Sequence, residues 1–225
     1  MLPVDQTQPW PTIDLTDRFI PFSFSQGPRP LCLAFATSSA HKIARGSVTD
    51  FSPEALWHFC HRNGYTQPEG TSFPAIAEAI GREGQPSLGA WPYNQALFHD
   101  TEDVPALAQK ETWRTAVLSP VTLSPGAQTY LERTLTTGRA VVVAIEVSDE
   151  FTLVKGAEVV VVPDVIPEPQ GVHAVLIVGA ADDGRGGRIY RVLNSWGLDW
   201  ADGGFTWLPA LYLDKYAVGA AALTL

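Results

Sequence analysis

Cysteine is scarce in this chain of 225 residues, with two in all, and no cluster of lysine or arginine occurs. Long apolar runs are missing too; the longest are strand-like stretches such as VVVAI at 141–145. Each scarcity excludes something. Two thiols cannot build a disulfide framework, and they suit a compartment where thiols stay reduced. With 15 basic against 24 acidic residues and a net charge of −9, the chain has no means of neutralising a run of phosphates, so nucleic acid is not an expected partner. Its apolar runs fall far short of the ~20 residues a membrane helix needs, so no membrane span is expected. The N-terminus, MLPVDQTQPWPTIDLTDRF, has no charged region followed by an apolar one; no secretory signal is expected, and the reading is cytoplasmic.

What is present suits a globular protein: 45% hydrophobic and 17% charged residues can bury a sizeable core in one domain. Six prolines within the first 30 residues disfavour regular structure and predict an extended arm over 1–25. Leu31, Ala34, Phe35, Ser38 and Ile43 recur at spacings of three to five, which predicts a helix starting at about Cys32 and stopping at Gly46. A second helix follows SPEALWHFC (52–60), where Ser52 can cap and Pro53 fits the first helical position; a third covers FPAIAEAIGREG (73–84). Residues 84–105 are turn-rich and read as a crossing. Beyond it come a β-rich stretch at 113–123, a short helix at 126–138 and β-favouring runs at 140–147, 157–165, 173–181 and 188–196. The expected architecture is α+β in one domain over 1–225, with a helical lobe over about 26–105, a β lobe over about 106–225 and a cleft between them.

A thiol attacks as the thiolate, and with a free pKa near ~8.5 it needs help, such as the helix N-terminus that Cys32 is expected to occupy. It also needs an imidazole to hold its proton and return it to a leaving group. Of the five histidines, His58 and His61 flank Cys60 at offsets that do not converge on a metal, and His99 sits in the crossing. His41 lies nine residues along the same helix, ~13 Å away. His173 differs: it opens the strand HAVLIVGA directly after a loop, facing a prospective cleft. Twenty-one residues later, LNSWGLDW places Asn194 where its oxygen can accept the second ring N–H, with Trp196 able to shield that bond. No metal and no cofactor is expected.

At these residues the chain resembles the papain-like cysteine peptidases. The family's signature around the nucleophile appears as QGPRPLCLAF, its histidine strand as HAVLIVGA, and its Asn-Ser-Trp-Gly signature as NSWGLDWADGGF, in the family's order. His173 also follows Cys32 by 141 residues, inside the papain-type interval of about 130–150. FSPEAL, EGTSFPAIAEAI and WPY are similar to the family's second helix, its substrate wall with third helix, and its Tyr-Pro-Tyr. The resemblance implies a papain-like two-lobe fold whose C-terminal lobe is β-barrel-like and antiparallel. It implies that Cys32 is the nucleophile, His173 the general base and acid, Asn194 the orienting residue and Gln26 the oxyanion donor alongside the Cys32 backbone N–H. It further implies a substrate-facing set of Gly70, Ala144, Val172, Ala174 and Trp196, an apolar set suited to a hydrophobic side chain two residues before the cut.

Several positions depart from the family. Arg29 replaces its upstream disulfide cysteine, Pro30-Leu31 its Gly-Ser and Leu33 its Trp, so a disulfide-free, bacterial-type member is expected. No long propeptide is seen, which points to a regulatory partner or a fused sensor as the restraint on a polypeptide-cleaving enzyme. Singly, each of these residues is explained by packing; four types in order, each within its own signature, point to a cysteine endopeptidase acting through an acyl-enzyme. The alternatives are a catalytically silent peptide-binding module and an acyl or peptidyl transferase using the same thioester.

Overall fold

The computed structural model describes residues 11–16, 24–121, 127–166 and 171–225. After the two-residue strand β1 (Ile13–Asp14) come three helices: α1 (Cys32–Arg45), α2 (Pro53–Arg62) and α3 (Phe73–Arg82). Both α2 and α3 carry proline in the opening positions, where a missing N–H removes no helical bond. Helix α1 ends at Gly46, whose φ of 56° supplies the left-handed turn that side-chain-bearing residues resist.

The strands are β1 (Ile13–Asp14), β2 (Val117–Val121), β3 (Val141–Glu146), β4 (Val172–Asp182), β5 (Arg188–Leu193), β6 (Phe205–Pro209) and β7 (Ala217–Thr224). They form one antiparallel sheet in the order β2-β7-β3-β4-β5-β6, with β1 added beside β4. The sheet is antiparallel as expected, and it stays open rather than closing into a barrel. Three helices accompany it: α4 (Ala127–Thr136), α5 (Asp149–Thr152) and α6 (Ala210–Tyr216).

The core forms where α1 lies across the sheet. Leu33, Ala34, Phe35 and Ala40 of α1 join Val141, Val142, Val143 and Ile145 of β3 and Val175–Val178 of β4 in one apolar cluster. Helix α1 is thus fixed along its length by the strands that carry the later site residues.

The arm expected over 1–25 is seen in part; residues 1–10 and 17–23 lie outside the described residues. At β1, Ile13 pairs with Ala180 and Asp14 with Gly179. Gly179 is needed there, because a Cβ would come within 2.6 Å of the Ile13 carbonyl oxygen. Buried Arg188 donates to Glu132 at 2.7 Å and to the Pro11 carbonyl at 2.5 Å, and Arg191 pairs with Asp14 at 2.8 Å.

The strand expected at 157–165 does not form. Only isolated bridges occur, Lys155 with Ala201 and Val159 with Trp207, while Val161 and Val165 point to solvent. β-branched side chains favour a strand through packing, and here no second face covers them. Among the described residues no helix is long and apolar enough to cross a membrane.

Candidate active site

Cys32 is the first residue of α1. The N-cap position falls on Leu31, which has no side-chain oxygen, so no capping bond competes for the first backbone N–H groups. Two of these, from Cys32 and Leu33, turn toward the Cys32 sulfur, and the backbone N–H of Ala174 bonds to it from β4. Burial pushes the thiol up from its ordinary value, and those three amides pull it back down. The helix terminus therefore opposes desolvation at this sulfur without overcoming it.

The bond from Ala174 brings the neighbouring residue, His173, to the same place. His173 pairs with Ile145 across the β3–β4 ladder, so its backbone is held by β3. Its Nε2 lies 2.6 Å from Asn194 Oδ1, and its Nδ1 has no hydrogen-bond partner among the described residues. Burial holds the imidazole down at about 4, with the Asn194 bond acting in the opposite direction. Trp196 tilts over the ring, centroids 4.7 Å apart and planes at 31°, and is backed edge-on by Phe151. The indole lies over the His173 ring, and both His173 and Asn194 are buried.

Gln26 reaches the site through a short antiparallel contact. Ser25 bridges Trp196, the Gln26 N–H donates to the Ser195 carbonyl at 2.8 Å, and the Gly197 N–H donates to the Phe24 carbonyl at 3.2 Å. The Gln26 side chain is buried and clamped: Ser195 Oγ donates to its Oε1 at 2.5 Å, and its Nε2 donates to the Arg29 carbonyl at 2.8 Å. One amide hydrogen is left without an acceptor among the described residues.

A cleft of about 580 Å³ opens beside the thiol. Gly70, Ala144, Val172 and Ala174 line it, together with Phe73 and Val218. Trp196 does not line this cleft; it lies over His173. The structure thus brings Gln26, Cys32, His173 and Asn194 to one end of β4 and gathers four of the five substrate-facing candidates around the cleft. Gly70, at φ 137°, keeps the wall within reach of the turn before α1, where a Cβ would stand 3.1 Å from the Pro30 carbonyl.

The remaining candidates are occupied elsewhere. His41 is buried between Gln85 and Arg45, and His58 meets Thr101. Cys60 is fully buried in α2 and its thiol is pushed up to about 11 by burial. Both cysteines are free. Among the described residues no group of His, Cys, Asp and Glu could hold a metal ion.

Sequence reasoning passed over Ser195, although it stands between Asn194 and Trp196 in the quoted signature and is the natural donor to Gln26. It also passed over Val218 and Gly219 of β7, an Ala- and Gly-rich strand without a local β signal.

The family model for "Papain family cysteine protease" matches residues 28–217, beginning just after Gln26. Among solved structures, xylellain, a cysteine protease from Xylella fastidiosa, is similar at TM-score 0.77 and 19% identity, over 100% of this chain and 90% of that one. Digestive procathepsin L 3 from Tenebrio molitor larval midgut is similar at 0.76 and 20%, over 100% and 73%. A Carica candamarcensis cysteine protease in complex with E-64 is similar at 0.73 and 18%, over 95% and 97%. At these identities the likeness is one of fold. No protein of curated function matches the sequence.

Proposed function

The chain belongs to the papain family of cysteine proteases, and from that premise we propose that it is an endopeptidase whose nucleophile is Cys32, whose general base and acid is His173, and whose orienting residue is Asn194. The observation that carries this reading is the placement of the Cys32 sulfur against the Ala174 amide. His173, one residue earlier, keeps Nδ1 unpartnered while Nε2 is tied to Asn194.

Burial disfavours an isolated charge on either partner, so neutral thiol and neutral imidazole are the resting forms that the separate shifts favour. Moving the proton from Sγ to Nδ1 creates two opposite charges side by side, each stabilising the other. The sulfur then attacks the scissile carbonyl carbon, and the oxygen takes the negative charge. The free Gln26 amide hydrogen and the Cys32 backbone N–H receive that oxyanion; one such donor is typically worth ~3 kcal/mol of barrier. His173 passes its proton to the departing amine as the C–N bond breaks, leaving a thioester. Water, deprotonated by His173, attacks the thioester and releases the acid and the thiol.

The cleft supports a substrate preference as well. Ala144, Val172, Ala174, Phe73 and Val218 form an uncharged wall, with Glu69 the one charged residue that also lines the cleft, and this wall suits a hydrophobic side chain two residues before the cut, with Gly70 letting the substrate backbone approach. In this reading residues 26–105 and 106–225 are the two walls of the cleft. Free cysteines support a reducing, cytoplasmic setting.

The test is labelling by an epoxysuccinyl thiol-peptidase probe at neutral pH, located by peptide mass spectrometry, beside cleavage of peptides carrying Leu or Phe two residues before the cut. Cys32 should be labelled and Cys60 spared, with labelling greatly slowed in His173→Ala. Equal labelling of both cysteines, or a rate unchanged in His173→Ala, would overturn the assignment.

A further inference from the structure

Arg29 is a charged residue only 1% exposed. All five of its guanidinium N–H groups end on acceptors. The Glu54 carboxylate takes two, and the carbonyls of Asn94, Phe98 and Asp100 take the others at 2.8, 2.7 and 3.0 Å. Glu54 is equally buried and also accepts the Asn94 N–H at 3.0 Å. The guanidinium lies 5.2 Å from the Tyr93 ring centroid. Phe98, one of the acceptors, has a left-handed φ of 51°, a conformation a bulky residue adopts only when its surroundings enforce it.

A buried ion pair adds little net stability over an apolar replacement, so stability alone does not account for so complete a set of bonds. What five directed bonds supply is geometry. The backbone of the same residue faces the site: the Arg29 carbonyl accepts Gln26 Nε2–H at 2.8 Å and the Leu31 N–H at 2.9 Å. Pro28 and Pro30 flank it, and neither has an N–H with which to pin this turn. The side chain pins it instead. On the far side, the Tyr93 hydroxyl donates to the Gln26 carbonyl at 2.5 Å, so the 93–100 segment that holds the guanidinium also holds the Gln26 backbone.

We propose that Arg29, held by Glu54, is a positioning residue for Gln26: the buried fork fixes the turn from Gln26 to α1 and so aims the remaining amide hydrogen at the oxyanion. The proposal rests on the proteolytic reading given above. Arg29 touches no reacting atom and acts through Gln26.

This makes a specific demand on kinetics, because a residue acting only through Gln26 has nothing left to do once that donor is gone. In wild-type background, Arg29→Lys, which keeps the charge but offers three donors from one atom, should lower kcat about ten- to a hundredfold with KM little changed, within the ~10²–10³ typical of an oxyanion donor. In a Gln26→Ala background the same substitution should change kcat less than threefold. Alkylation of Cys32 by iodoacetamide forms no oxyanion, so its rate should stay within about twofold of wild type, which also verifies an intact thiol and histidine. The charge-free pair Arg29→Met with Glu54→Gln avoids a lone buried charge and should show the same loss of kcat.

Wild-type kcat in either the Lys variant or the charge-free pair would overturn the proposal, as would effects of Arg29→Lys and Gln26→Ala that simply multiply. A wild-type chain that cleaves no peptide would instead overturn the proteolytic reading itself.

Discussion

The Nε2 of His173 stands 2.6 Å from the side-chain oxygen of Asn194, the two residues lying at the ends of neighbouring strands whose ladder pairs Leu176 with Leu193. Because an amide oxygen only accepts, the ring places its hydrogen on Nε2 and leaves Nδ1 as the basic atom. The tautomer that the proposed mechanism requires is therefore set by strand pairing.

Asn194→Ala should lower kcat/KM by roughly ten- to a hundredfold, ~1.5–3 kcal/mol of transition-state stabilisation, and should also lower the denaturation midpoint, because the buried His173 Nε2–H and Ser195 N–H lose their acceptor. Steady-state kinetics with a peptide substrate checks this. Unaltered kcat/KM would mean that Trp196 alone holds the ring.

Burial holds His173 at about 4, and the rate should follow. A protonated imidazole cannot take the thiol proton, so kcat/KM should fall as pH drops through about 4. A pH–rate profile with its acid limb at the free-histidine value of ~6.5 would contradict the burial of this ring.

Stability should show the same titration through a second residue. Burial also lowers His41 to about 4, so between that value and 6.5 the unfolded chain binds protons that the native chain does not. Stability is then complete above ~6.5 and declines as pH falls, by about 2 kcal/mol per such histidine at pH 5. Urea midpoints at pH 7 and pH 5 test this, with His41→Gln expected to lose less than wild type. An equal loss in both would show that His41 does not contribute.

The site was legible in sequence to the extent that its geometry is local. Cys32 opens α1 where the apolar spacing placed the helix, and His173 and Asn194 sit at the strand ends that loops and β-runs marked. What depended on distant pairing was hidden. β7 is built from Ala217, Val218, Gly219, three further alanines, Leu223 and Thr224, mostly residues with little strand preference, and it exists because β2 and β3 flank it. The valine-rich 157–165 stretch erred in the other direction, since it has the propensity and lacks the partner. Nothing in the spacing of Arg29 and Glu54, 25 residues apart, announces that they meet.

Gly219 offers a handle on selectivity. A Cβ there would stand 3.1 Å from Phe73 Cε2, inside the apolar cleft. Gly219→Ala should disfavour Phe against Val two residues before the cut by about tenfold in kcat/KM, near the lower end of the ~1–3 kcal/mol a methylene commands in a hydrophobic pocket. Competing-substrate assays would read the ratio directly, and an unchanged ratio would place that side chain elsewhere.

Ser195→Ala removes the donor to the Gln26 side-chain oxygen Oε1 at 2.5 Å. Freed from its clamp, Gln26 should serve the oxyanion less well, with kcat falling roughly three- to tenfold, KM steady, and Cys32 alkylation unaffected. A loss confined to KM would assign Ser195 to substrate binding instead.

The two free thiols sit in opposite circumstances: one opens a helix beside the cleft, and the other is sealed inside α2 with no exposed surface. The molecule therefore carries its own pair of chemical reporters. Cys32 answers to the state of the cleft, whereas Cys60 can answer a reagent only during the rare openings that unpack the helices around it. Comparing their modification rates on one sample separates loss of competence from loss of structure, without a dye, a tag or a substrate.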